Sequence, residues 1–69
     1  MSLTVSQVAT LEQAMRAAGI DPDTADGRYI LTAMTGRTIR NTHDVPATDW
    51  YGALRAFESV AAQRLRETP

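Results

Sequence analysis

The residue types in this 69-residue chain that can do chemistry are one histidine, eight carboxylates and seven arginines; cysteine is absent. Without thiols there is no cysteine nucleophile, no thiolate zinc site and no disulfide. His43 beside Asp44 is the one pair that resembles a general base with an orienting carboxylate. A base needs a nucleophile within reach. The serines, Ser2, Ser6 and Ser59, follow no elbow-type glycine motif, so His43 reads as a solvated loop residue. Asp21, Asp23, Asp26 and Gly27 resemble the start of a calcium loop. Counted from Asp21, however, the fifth position is Ala25, the sixth Asp26 and the twelfth Thr32, so the register fails and the closing bidentate ligand is missing. Gly27 and Gly36 stand too far apart to cradle a phosphate, and no lysine exists for a P-loop. Neither a catalytic residue, a metal site nor a cofactor is expected, and the chain reads as a non-enzyme.

What remains is recognition chemistry. All seven basic residues are arginine, spread along a chain of net charge −1 that also holds eleven alanines. That usage fits coding bias in a GC-rich genome better than a selected guanidinium cluster. One stretch is nonetheless uneven. From Arg28 to His43 there are three arginines, one histidine and no acid, a formal charge of +3 with histidine neutral. Arg28, Arg37, Arg40, Asn41 and His43 are therefore candidates to meet a partner's carboxylates or phosphates. The competing reading pairs these arginines with the flanking Asp26, Asp44 and Asp49, and sets Arg37 against a helix C-terminus. Tyr51, beside Trp50, is a candidate exposed aromatic anchor or equally a half-buried edge of the core, with Arg55 one turn further on.

Helices must position these groups. Thr4 with Gln7 spells a capping box, and Leu3 with Val8 a hydrophobic staple. Val5, Val8, Leu11, Met15 and Ala18 form an apolar stripe, with Glu12–Arg16 as an i,i+4 pair on the wet side. Gly19 ends this helix as a left-handed cap, and Ile20 folds back on Met15. Asp21 before Pro22 reads as the N-cap of a second helix running to Thr35, with Gly36 as terminator; Gly27 inside it moves the ordered start toward Asp26. The run from Tyr29 to Met34 is apolar on several sides, as for a helix buried between two others. Its Tyr, Ile and Thr content also suits a hairpin turning at Thr35-Gly36. Length and capping favour the helix.

Arg37 to Ala47 is a connector anchored by Ile39 and Val45, in which Pro46 interrupts any continuous helix. Thr48 is the expected N-cap of a third helix and Asp49 its first-turn acid. The apolar stripe of that helix is Trp50, Leu54, Phe57, Ala61 and Leu65, widened by Ala53 and Val60. Arg55, Ser59, Ala62 and Arg66 face away, and Glu67-Thr68-Pro69 frays. The expected architecture is a single all-α domain over residues 1–69, a small three-helix bundle. The alternative is α-β-β-α with a hairpin at residues 29–41. The longest strongly apolar run, Tyr29-Ile30-Leu31, falls far short of the ~18 residues of a membrane span. With no signal peptide to be seen, a cytoplasmic location is expected.

Asp26-Gly27-Arg28, the apolar helix, Thr42 with Asp44, and Trp50 opening a last amphipathic helix together resemble the small type I-E anti-CRISPR proteins of Pseudomonas phages and mobile elements. The resemblance covers residues 26 to about 60. It implies a stoichiometric, cofactor-free binder of a CRISPR surveillance complex or its helicase-nuclease. The acidic member it resembles carries Asp or Glu where this chain has Arg37, Arg40, Ala47 and Arg55. The implied mode is therefore obstruction of a protein surface and not DNA mimicry.

The sequence expectation is an interaction protein with a protein partner, bound through Arg28, Arg37, Arg40, His43, Tyr51 and Arg55, with no membrane contact. The first alternative is a helix-turn-helix-like DNA regulator. Near-neutral charge and the eleven-residue connector oppose it, so nucleic acid is not expected as a partner. The second alternative is a structural homo-oligomer, such as a homodimer, that buries an apolar face.

Overall fold

A computed structural model describes residues 3–67. It contains α1 (Val5–Ala17), α2 (Ala25–Thr35), a 3-10 turn at Thr42–Asp44 and α3 (Ala47–Glu67). No strand occurs among the described residues, so the hairpin alternative is set aside and the chain is a small all-α three-helix bundle.

The ends of α1 follow from its sequence. The Thr4 side chain accepts from the Gln7 N–H at 3.1 Å, while the Gln7 side chain accepts from the Thr4 N–H at 2.9 Å. Two of the helix's orphan donors are thereby satisfied. At the other end Gly19 takes φ +84, its N–H donates to the Arg16 carbonyl and the Ile20 N–H donates to the Met15 carbonyl. This is a Schellman ending, which a residue with a Cβ would strain. Leu3, Val8, Leu11, Ala14, Met15 and Ala18 are buried. Val5 is not: it is 79% exposed. Nor do Glu12 and Arg16 pair. Arg16 reaches Asp23 at 3.7 Å, and Glu12 turns inward to accept from the Thr42 hydroxyl at 2.8 Å.

The N-cap of α2 is Thr24, not Asp21: its hydroxyl accepts from the Gly27 N–H at 3.2 Å. Asp21 instead accepts from the Asp23 N–H two residues on, an Asx turn that competes with helix for the segment. Gly27 has a packing reason. A Cβ there would collide with the Asp21 backbone carbonyl, so glycine lets the helix pass against the preceding turn. Gly36, at φ +73, ends the helix. Leu31 is fully buried and Ile30 packs against the core, but Tyr29 is 73% exposed and Met34 is partly exposed. Thus α2 does not lie buried between two helices. The main helix interface joins α1 to α3, and α2 leans on it by one stripe.

Helix α3 begins at Ala47, one residue before the expected Thr48 cap. Ala53, Leu54 and Phe57 are buried, and the half-buried Trp50 donates its indole N–H to the Gln7 carbonyl at 2.9 Å. Leu65 is 77% exposed, so the stripe outruns the core. Arg55, Ser59, Ala62 and Arg66 are exposed, as their positions predict. Glu67 is helical; Thr68 and Pro69, the rest of the expected fraying tail, lie outside the described residues. No described helix is long and apolar enough to cross a membrane.

Candidate functional site

The connector between α2 and α3 owes its shape to three inward residues. Ile39, Thr42 and Val45 are buried, while Arg40, Asn41, His43 and Asp44 are exposed. Every third residue enters the core, the period of a 3-10 turn. The Ile39 N–H donates to the Thr32 hydroxyl at 3.0 Å, tying the start of the segment to α2. The Thr42 hydroxyl donates to Glu12, tying its middle to α1. One Asp44 carboxylate oxygen, Oδ2, accepts from the backbone N–H groups of Arg40 and Asn41 at 3.2 and 3.3 Å. Asp44 is therefore engaged by backbone amides rather than by a guanidinium.

This arrangement displays Arg40 and His43 on one fixed turn. Arg37 precedes it, its N–H donating to the Thr35 hydroxyl and its carbonyl accepting from that hydroxyl. No ion pair among the described residues engages Arg37, Arg40 or Arg55. The intramolecular pairing of Arg37 and Arg40 with Asp26, Asp44 or Asp49 is thus not formed. Arg28 stands apart. It is half-buried and donates to the Asp23 main-chain carbonyl at 3.3 Å, which makes it a brace of the turn before α2.

Tyr51, 63% exposed, and Arg55 lie one turn apart on α3 and form a second exposed pair. No hydrogen bond or ion pair of the described residues ties them to the Arg37–His43 segment. The six residues expected at the site therefore divide into one turn-borne group (Arg37, Arg40, His43), one helix-borne pair (Tyr51, Arg55) and one structural arginine (Arg28).

A groove lies elsewhere. Met34 and Thr35 from the end of α2 and Thr48, Asp49, Gly52 and Ala53 from the start of α3 enclose about 330 Å³. None of the six expected residues lines it. Its one titratable group is Asp49, with Thr35 and Thr48 beside it. The sequence reading missed Glu12 and Thr42, a buried polar contact 30 residues apart in the chain. The three-residue spacing of Ile39, Thr42 and Val45 was the available signal. No family model matches the chain, and no curated protein or solved structure matches it.

Proposed function

We propose that this chain acts by binding a protein partner and not by catalysis, as a stoichiometric inhibitor of the anti-CRISPR type it resembles. It would obstruct a surface of a type I CRISPR surveillance complex or its nuclease in the bacterial cytoplasm. The observation that supports this reading is the turn carrying Arg40 and His43, preceded by Arg37. The segment is tied to α2 through the Ile39 N–H and to α1 through the Thr42 side chain, while the Arg37 and Arg40 guanidiniums have no ion-pair partner among the described residues. A surface held in place before binding loses little conformational entropy on association. Free guanidiniums offer forked donors to carboxylates on the partner. Tyr51 and Arg55 supply a second contact of the residue types enriched where binding energy concentrates.

The test is capture of type I complexes from a lysate that contains them, with the wild-type chain and with an Arg37→Glu/Arg40→Glu double variant. Wild type should retain a Cas subunit. The double variant should lose roughly 30-fold or more in affinity through like-charge contact with an acidic partner surface. Its melting temperature should barely change, because exposed charges contribute little to folding. Failure of the wild-type chain to retain any such subunit would overturn the reading. So would nanomolar, salt-steep binding to duplex DNA, which is the signature of phosphate neutralisation.

A further inference from the structure

The outer face of α2 has no partner within the chain. Leu31 is the residue that anchors this helix in the core. Tyr29 and Ala33 each stand two positions from it, one on either side, and so each is turned roughly 160° away. Both are exposed, and the tyrosine ring stands clear of the surface. Asp26, turned roughly 140° from Leu31, is exposed in the first turn of the helix. Arg37 is exposed at the opposite end, directly after the left-handed Gly36. Neither the Asp26 carboxylate nor the Arg37 guanidinium takes part in an ion pair among the described residues.

Tyr29 and Ala33 lie at equal steps on either side of Leu31, and the opposite charges of Asp26 and Arg37 stand toward opposite ends of the helix, Arg37 just beyond its last residue, Thr35. A two-fold axis perpendicular to α2 near Leu31 would bring each residue toward its counterpart on a second copy. We propose that two copies of this chain associate through their α2 outer faces in antiparallel fashion. The Tyr29 ring of each copy covers Ala33 of the other, and Asp26 of each meets Arg37 of the other. Large against small at the centre lets two helix axes come within the usual 8–10 Å. The charges choose the orientation: a parallel pair would set Asp26 against Asp26 and Arg37 against Arg37, which is repulsive. The interface is isologous and closed, so it stops at a dimer. One face of an 11-residue helix is a small contact, below the ~1,200 Å² of standard interfaces, so the dimer is weak and concentration-dependent. This inference does not rest on the proposed function: Arg37 is common to both, but Tyr29, Ala33 and Asp26 lie outside the Arg37–His43 segment, and self-association is measured with no other partner present.

Sedimentation equilibrium of the full chain at low salt, from roughly 10 µM to 1 mM, brackets the affinity expected of such a contact. Wild type should pass reversibly from monomer to dimer across that range. Tyr29→Ala should weaken the dimer about tenfold or more, with circular dichroism and melting unchanged because the side chain is exposed. Asp26→Arg and Arg37→Asp should each weaken it several-fold, and the two together should restore it to within about threefold of wild type. A wild-type chain that stays monomeric throughout overturns the proposal and leaves the face to some other protein. A dimer indifferent to Tyr29→Ala, or a double reversal no better than either single one, overturns it too by placing the contact on another surface.

Discussion

The two halves of α3 carry the same apolar spacing and meet opposite fates. In the first half Ala53, Leu54 and Phe57 are buried and Trp50 is pinned to α1 through its indole N–H. In the second half Ala61 is half-buried, Val60 is 41% exposed and Leu65 lies in solvent. The cause is length. Helix α3 has 21 residues and α1 has 13, so at 1.5 Å per residue α3 outreaches its main neighbour by about 12 Å. Near the end of α3 the Arg64 guanidinium lies over Gly19, in the space a Cβ would fill. Periodicity reports which face of a helix points inward. It says nothing about how far the inward side extends.

The sharpest test of this contrast is Phe57→Ala. Phe57 is 3% exposed within the core cluster, and removing its ring leaves a cavity there. The expected cost is about 3–5 kcal/mol. That is most of the stability available to a domain of this size, so chemical denaturation should find the variant largely unfolded. A midpoint close to wild type would show that the first half of α3 is no better packed than the second.

Trp50→Phe should have a smaller effect. Most of the apolar body survives the change, but the Gln7 carbonyl loses the indole donor at 2.9 Å. About 1–2 kcal/mol is expected, the cost of one part-buried hydrogen bond with some loss of volume. A urea midpoint that does not move would mean that this bond does not help to hold the N-terminal end of α3 against α1.

Legibility followed the same divide between local and distant causes. The capping box at Thr4 and Gln7, the Gly19 ending and the Gly36 stop are each written in a few adjacent residues, and each formed as its residues dictate. Ile39 and Val45 were legible as anchors because apolar residues in a polar connector have one sensible destination. Asp21 as an N-cap was misread because two capping residues, Asp21 and Thr24, compete for one helix start. The close approach of Gly27 to the Asp21 carbonyl belongs to the turn that makes Thr24 the cap. The Glu12–Arg16 pair was locally sound but did not form: Glu12 meets Thr42, 30 residues away, and although the Ile39–Thr42–Val45 spacing marks Thr42 as inward, it does not name its partner. At the candidate site the exposure of Arg37, Arg40, His43 and Arg55 was legible from charge and spacing, whereas that of Tyr51 was decided only by the structure. Their division into two groups was not, because it depends on where α3 sits relative to the turn.

Leu65→Ala is the smallest expected effect and the most direct probe of the overhang. Two contributions oppose each other. Residual contact of the leucine with neighbouring turns of α3 favours the wild type, but at 77% exposure little apolar area is removed from water. Against that, alanine is the better helix former by a small margin, and this region is helix with little tertiary support. The net change should therefore lie within about ±0.5 kcal/mol, as for other surface positions. Measured beside Phe57→Ala in the same denaturant series, the pair should differ by a few kcal/mol although both residues occupy the same nominal stripe. A loss above about 1 kcal/mol at Leu65 would mean that the C-terminal turns of α3 are covered in solution. The contrast between the halves would then reflect a missing neighbour, and a dimer dissociated by that substitution would place the neighbour on α3 and not on α2.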